Sequence, residues 1–390
     1  MKYKLDKTVI FFLIVYIFWL AGGLIMAEIR DSIFSERILG FKVEYADIYN
    51  VLYSYVIFII VFIFSAYLIA RSNKEYSSKL LEIQLTIVFA FIAVLIKLSQ
   101  YGFILFSGDY YSRFTVEANL LVNIFPTIFT VISVDFLHRN KNLETKSANK
   151  YLLLIIVISI LSVLAGSRST PFYALIAALS YYFIPFSGSE NIKQYKLMSV
   201  KNVVFFLILI YIFGQFANIL RWFSTDATFQ DSLIAILGDS FPEYRSHSQA
   251  SVSITDSKRE SYSFILWLQN LSAYIFPGFV FEVFESSRKQ VFNQIWTDFF
   301  QPIIWGDKEA LYGIRTGLIG EINLALGDLY LIVFAAFFAY LLQKNKSKII
   351  TVTCLATTIP YGVTSIYTLF YCLLFQVAIT KINKILPKKI

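Results

Sequence analysis

Apolar runs of about 20 residues recur along the chain, each long enough to cross about 30 Å of hydrocarbon as a helix. Lipid offers no partner to a backbone N–H or C=O, so a crossing segment must pair its own backbone. Long uniform runs therefore mean helices, and the alternating pattern of a membrane barrel is absent. Only 15% of the 390 residues are charged, where a soluble protein carries about 25%. The sequence describes an all-α, polytopic transmembrane helical bundle.

Spans are expected at about 8–27, 49–70, 80–100, 118–137, 151–164, 171–186 and 202–220, with an eighth over 317–342. The last apolar run, 349–380, is too long for one helix and is interrupted by Pro360-Tyr361-Gly362. Proline and glycine so close together turn a chain sharply, which divides this run into two short spans, the ninth and tenth. The chain thus reads as an N-terminal bundle over 1–220, a large polar loop over 221–316 and C-terminal spans over 317–390. The basic start runs into the first apolar segment without a small-residue cleavage site, so that segment is read as a span and not a removed signal.

The net charge of +8 follows membrane topology and does not point to nucleic acid. Alternate connections (1–7, 71–79, 138–150, 187–201, 343–348 and 381–390) hold twenty Lys or Arg, against five in 28–48, 101–117 and 166–170. Short basic segments stay on the cytoplasmic side. Both termini are then cytoplasmic, which about ten spans satisfy. The large loop faces outward, since long loops translocate largely regardless of charge.

That loop is the chemically rich part. It carries Arg221, Arg245, His247, Arg259, Arg288 and Arg315 with Glu243, Glu260, Glu282 and Asp298. Within it, 261–283 is apolar enough to enter the membrane, but a full crossing would invert every later connection. Gln269, Asn270 and Pro277 also fit a re-entrant or interfacial helix better than a lipid-facing span. Trp267, Trp296 and Trp305 suit a headgroup-level position.

Four places are candidates for chemistry. The turn GSRST puts Arg168 between two spans, where its planar fork could hold a phosphate or could snorkel to lipid headgroups. Arg221 follows the seventh span in NILRWFS, against the charge bias. FPEYRSHS holds Glu243, Arg245 and His247 within five residues, sharing a face if the segment is extended. A carboxylate or imidazole beside an arginine could act as an acid or base near an anion, and an exposed loop also holds such clusters by chance. GIRTGLIGEINLALGD carries Arg315 and then Glu321, an intramembrane carboxylate that faces either a cavity or a structural partner. Lys97, also within an apolar run, is either an ion-pair partner or a helix-end snorkeller.

Cys354 and Cys372 lie in apolar stretches and read as small buried hydrophobes with no redox or metal spacing. There is no Walker loop, no dinucleotide glycine pattern, no HExxH and no DxD-like site for a nucleotide sugar. No metal and no cofactor is expected.

With GSRS between two mid-chain spans, an arginine after the next span, the FPEYR segment and GIRTGLIGEINLALGD entering a late span, residues 160–340 resemble the oligosaccharide repeat-unit polymerases, the Wzy or O-antigen polymerase family. The resemblance implies a multi-spanning glycosyltransferase of the GT-C-type polymerase/ligase class in the bacterial cytoplasmic (inner) membrane. Such an enzyme moves a growing glycan from polyprenyl diphosphate to the non-reducing end of the next lipid-linked unit, on the outer face. Its partners would be the polyprenyl-diphosphate-linked oligosaccharide, membrane lipid and a chain-length regulator of the Wzz type. Members often carry two large outer loops, and this chain shows one. A diphosphate leaving group handled without metal needs fixed cations, for which Arg168, Arg221, Arg245 and Arg315 stand as candidates. An acceptor hydroxyl needs a base, for which Glu243, His247 or Glu321 is available.

The rivals are an O-antigen ligase-like transferase, a flippase or transporter of lipid-linked sugars, and a membrane scaffold for partner enzymes. A transporter would carry charges deep in many spans. Here the charges gather in the outer loop, which favours an enzyme.

Overall fold

The computed structural model describes residues 6–33, 45–69, 77–103, 120–140, 142–167, 169–185, 198–223, 318–319, 322, 327–358 and 362–385. Among these residues the chain is helical, with no strand. The helices are α1 (Lys7–Ile33), α2 (Tyr45–Leu68), α3 (Leu80–Tyr101), α4 (Leu120–Arg139), α5 (Thr145–Leu164), α6 (Ser169–Phe183), α7 (Val200–Phe223), α8 (Asp328–Lys344), α9 (Lys348–Ala356) and α10 (Val363–Ile385). The first seven coincide with the expected spans to within a few residues at each end. Three helical stretches, Leu80–Tyr101, Thr145–Leu164 and Ser365–Asn383, are long and apolar enough to cross a membrane by length and composition.

The pattern of exposure is that of helices surrounded by lipid. Along α3, Ile83, Ile87, Ala90, Val94 and Lys97 are buried at helical spacing, while Val88, Phe91, Ile92, Leu95 and Ile96 are exposed on the other face. Similar apolar faces are bare on α5 (Leu153, Val157), α7 (Phe205, Leu209, Ile212) and α8 (Leu329, Val333, Phe337). The polar residues, by contrast, collect inside. In water such exposed apolar faces would be docking or aggregation surfaces. In hydrocarbon they carry no penalty.

α4 is the helix about which the bundle packs. Every residue from Thr130 to Leu137 is buried, and the helix touches α3, α5, α6, α9 and α10. α2 pairs with α8, and α1 lies against α6, α7, α8 and α9. Aromatic rings fill the α1–α2–α8 junction: Phe12 meets Phe62 at 4.6 Å between centroids, and Phe58 meets Phe338 edge-on at 5.6 Å.

Two departures from the expected spans stand out. The run 317–342 does not form one helix. Gly327 takes a positive φ of 80°, open to glycine and rarely to other residues, and α8 begins only after it. Leu318, Ile319 and Ile322 are helical and buried ahead of that break.

The last run is a hairpin with unequal arms. α9 has nine residues, all buried, and spans about 14 Å at 1.5 Å per residue, half of the hydrocarbon thickness of about 30 Å. It is therefore too short for the crossing assigned to the ninth span. Gly362, at φ 53°, closes the turn by donating its N–H to the Thr358 carbonyl at 2.9 Å. Ser365 Oγ then donates to the Thr357 carbonyl at 2.8 Å, and farther along α10 Gln376 meets Ser347, the residue before α9. Two contacts at matching distances from the turn make the arms antiparallel, so α9 enters from one end of the bundle and α10 returns to it.

That end gathers the flanks of the lysine-rich connections. The Lys7 ammonium lies 5.9 Å from the centre of the Phe183 ring. Ser78 N–H donates to the Arg139 carbonyl at 3.3 Å, and Met198 N–H to the Tyr182 carbonyl at 3.1 Å. His138 Nε2 sits 2.9 Å from the Ile184 carbonyl, and Gln343 Nε2 donates to the Ala66 carbonyl at 3.2 Å. The segments that the charge count places on one side thus flank one end of the bundle. α7 leaves this basic end and runs 24 residues, and α8 returns to it. The end of α7 and the start of α8 therefore lie at the opposite end, where the α5–α6 turn also lies.

Candidate functional site

The turn joining α5 to α6 is the part of the expected site whose surroundings are described. α5 ends because Gly166 adopts φ 74°, a left-handed conformation that stops the helix and reverses the chain. Gly166 N–H donates to the Val163 carbonyl at 2.8 Å and Ser167 N–H to the Ser162 carbonyl at 3.0 Å, which satisfies two of the carbonyls a helix end leaves open. Ser167 Oγ and Thr170 Oγ1 share a hydrogen bond of 3.1 Å within the turn. Thr170 Oγ1 shares another, of 2.8 Å, with Thr127 Oγ1 on α4. All three hydroxyl residues are buried. Arg168 itself lies outside the described residues, between these anchored neighbours in sequence.

A second set of hydroxyls lies one turn farther along α6. Tyr173 OH and Ser365 Oγ share a 2.6 Å hydrogen bond, and Thr357 Oγ1 donates to Ser365 Oγ at 3.2 Å. Tyr173 is ten residues from Phe183 at the basic end, about 15 Å along the helix. The tip of the α9–α10 hairpin is thus fixed about two thirds of the way along α6 from that end.

The other expected site residues are not brought together by the described residues. Arg221 falls within the backbone of α7, with its side chain outside the described set. Glu243, Arg245, His247, Arg315 and Glu321 also lie outside it, as does the expected re-entrant or interfacial element 261–283. Lys97 is buried, 4% exposed, late in α3, which excludes a freely snorkelling side chain. Cys354 and Cys372 are both buried, free thiols, and they contact each other across the two arms of the hairpin.

The strongest polar cluster sits at the basic end and was not singled out from the sequence. Asp135, fully buried on α4, forms an ion pair with Arg139 one turn later at 2.7 Å. Its Oδ2 also accepts from Gln376 Nε2 of α10 at 2.6 Å. Its Oδ1 lies 3.5 Å from the backbone N–H of Ile350, in the first turn of α9, where a carboxylate complements the positive end of the helix dipole. Ser347 Oγ donates to Gln376 Oε1, closing the loop of contacts. Beside it, buried Lys348 donates to the Leu342 and Gln343 carbonyls at 2.7 and 3.1 Å, placing its charge on the negative end of α8. The sequence signal was a carboxylate and an arginine four residues apart at the end of an apolar run, a spacing that puts them on one helix face.

Both Asp135 oxygens are engaged and the residue is sealed from the exterior. The cluster is a clasp that fixes α9 and α10 to α4, with no free group to attack or protonate a substrate. Among the described residues no group of three or more His, Cys, Asp or Glu could hold a metal ion. Comparison with known proteins gives no match to a family model, a curated protein or a solved structure.

Proposed function

We propose that this protein is a membrane-embedded, metal-independent glycosyltransferase that polymerises lipid-linked oligosaccharide repeat units. In this reading the growing glycan leaves polyprenyl diphosphate for the non-reducing end of the next lipid-linked unit, on the outer face of a bacterial cytoplasmic membrane. One observation carries it. The anchored turn around residue 168, the last turn of α7 with Arg221 in its backbone and the start of α8 all lie at the end of the bundle opposite the basic end. The neighbours of Arg168 and the backbone of Arg221 are thereby attached to one end, as a site for a lipid diphosphate at a membrane surface would require.

The chemistry assigned is simple. Arg168, Arg221, Arg245 and Arg315 neutralise the departing diphosphate, a task for fixed cations where no metal is present. Glu243, His247 or Glu321 accepts the proton from the attacking sugar hydroxyl. The sidedness follows the charge rule, with the basic end in the cytoplasm.

The test is the size distribution of surface glycan in a deletion strain. Loss of the chain should leave single repeat units on the acceptor, and restoring it should return the polymer ladder. Arg168→Ala and Arg315→Ala should insert into the membrane at normal levels and give no ladder. Full-length polymer from both variants defeats the assignment of the arginines. Loss of even single units on deletion moves the function to ligation or export.

A further inference from the structure

The basic end of the bundle carries cations that the described residues do not neutralise. Lys79, Lys146, Lys150, Lys201, Lys344 and Lys381 are exposed, and none of them has an ion pair or a ring contact among the described residues. The same is true of Lys346 in the α8–α9 connection. Glu144 is the one exposed carboxylate among the described residues. Helix electrostatics add to the imbalance. Lys79 is the N-cap of α3, and Lys146 and Lys201 lie in the first turns of α5 and α7, neither of which holds an acidic residue. The start of a helix is its positive end, where a carboxylate is the favoured charge. An arrangement this repulsive calls for anions from outside the chain.

The lysines also border apolar faces that are left bare. Exposed Leu80 and Leu81 follow Lys79 directly, Leu153 and Leu154 lie three and four residues after Lys150, and Phe205 lies four after Lys201. Tyr340 precedes Lys344 by four residues, and Val377 precedes Lys381 by four. Residues three or four apart share a helix face, so each of these cations heads an exposed apolar stripe. The pattern recurs on α3, α5, α7, α8 and α10, and it matches a phospholipid, with its phosphate at the lysines and its acyl chains along the stripe. A soluble anion would use the cations and leave the stripes bare. A zwitterionic headgroup brings its own cation and neutralises nothing. Two residues past Lys381, Asn383 Nδ2 is buried without a hydrogen-bond partner among the described residues, which places a further donor at this end. We infer that the basic end is a docking surface for anionic phospholipids, whose headgroups are held by these lysines. The inference does not depend on the proposed glycan chemistry.

The test places full-length protein in phosphatidylcholine bilayers with trace spin-labelled phosphatidylglycerol or spin-labelled phosphatidylcholine. Electron spin resonance then reads the fraction of each probe held at the protein. One lysine at an anionic surface corresponds to about fivefold in affinity, so the wild-type chain should favour phosphatidylglycerol by about fivefold or more at low salt. The preference should shrink in about 1 M salt, where the Debye length is about 3 Å. Lys146→Gln, Lys150→Gln and Lys201→Gln together should about halve it, with phosphatidylcholine association unchanged. Adding Lys79→Gln, Lys344→Gln, Lys346→Gln and Lys381→Gln should bring it close to one. All seven side chains are exposed, so these variants keep the packed interior intact. Equal association of the two probes with the wild-type chain overturns the inference, and so does a preference that survives all seven substitutions. Inorganic phosphate at constant ionic strength should leave the preference unchanged. Displacement of phosphatidylglycerol by it would assign the lysines to a soluble anion and overturn the lipid surface.

Discussion

Removing the Asp135 carboxylate should be among the most damaging single changes available in this chain. Asp135→Ala leaves the buried Arg139 guanidinium without the anion 2.7 Å away, Gln376 Nε2 without its acceptor, and the first turn of α9 without its cap. Breaking a buried ion pair from one side costs about 3–5 kcal/mol, because the remaining charge stays desolvated. A stranded neutral donor adds about 1–3 kcal/mol, part of which relaxation recovers. A loss of about 5 kcal/mol is expected, comparable to the whole stability of many domains. Arg139→Ala should cost less, since Asp135 keeps Gln376 and the α9 amide. The decisive variant is Asp135→Ala with Arg139→Ala. Removing both charges takes away the uncompensated ion, so the pair should be less destabilised than the sum of the singles by about 2 kcal/mol. Denaturant unfolding in mild detergent, followed by tryptophan fluorescence, measures all three. Additive losses would show that the two side chains do not depend on each other and would refute the clasp.

Three further outcomes are expected. Mild oxidation of the purified protein should join Cys354 to Cys372, two thiols giving one disulfide as the oxidant takes two electrons and two protons; a failure to cross-link would contradict the antiparallel hairpin. Cysteines placed at exposed Lys146, Lys346 and Lys381, in a background lacking the two native thiols, should react with an impermeant maleimide from one side of a sealed vesicle. A cysteine at Phe103 should react from the other side, and labelling of Lys381 with Phe103 would place α10 as a crossing helix. Gly166→Ala forces a side chain into φ 74°, costs about 1–2 kcal/mol, and should lower the melting midpoint by a few degrees while removing the polymer ladder.

The helices were legible because hydrocarbon imposes one rule on every residue in a run, and length with apolar character is enough to state it. Part of the charge pattern was legible for the same reason: the described flanks of the basic connections meet at one end of the bundle. What the sequence hid were features decided by a single residue or by pairing between helices. Gly327 sets the start of α8 through its positive φ, and the apolar run around it gives no warning of the break. Pro360-Tyr361-Gly362 announced a turn, but whether the arms go on or fold back depends on Ser347 finding Gln376, 29 residues later. Asp135 was invisible as a partner of Ile350, 215 residues away. The expected site residues in the polar stretch 221–316 and at Arg315 and Glu321 rest on the sequence alone.

The division of polar groups along the bundle has a physical reason. Asp135 is neutralised by Arg139 and the first turn of α9, and Lys348 by the last carbonyls of α8. Midway through the bundle the groups are hydroxyls, which are the cheapest polar groups to bury because a neighbouring carbonyl can satisfy them. A hydroxyl spent on its own helix specifies nothing about packing. Those that reach across, Thr170 to Thr127 and Tyr173 to Ser365, forgo that easy partner for one that exists only when two helices are correctly placed. Both cross-links fall on α6, within seven residues of Gly166. The start of α6 is therefore pinned by direction-dependent bonds, as the basic end is by Ser78 to the Phe136 carbonyl and by the Asp135–Gln376–Ser347 contacts, while the exposed helix faces carry only apolar groups.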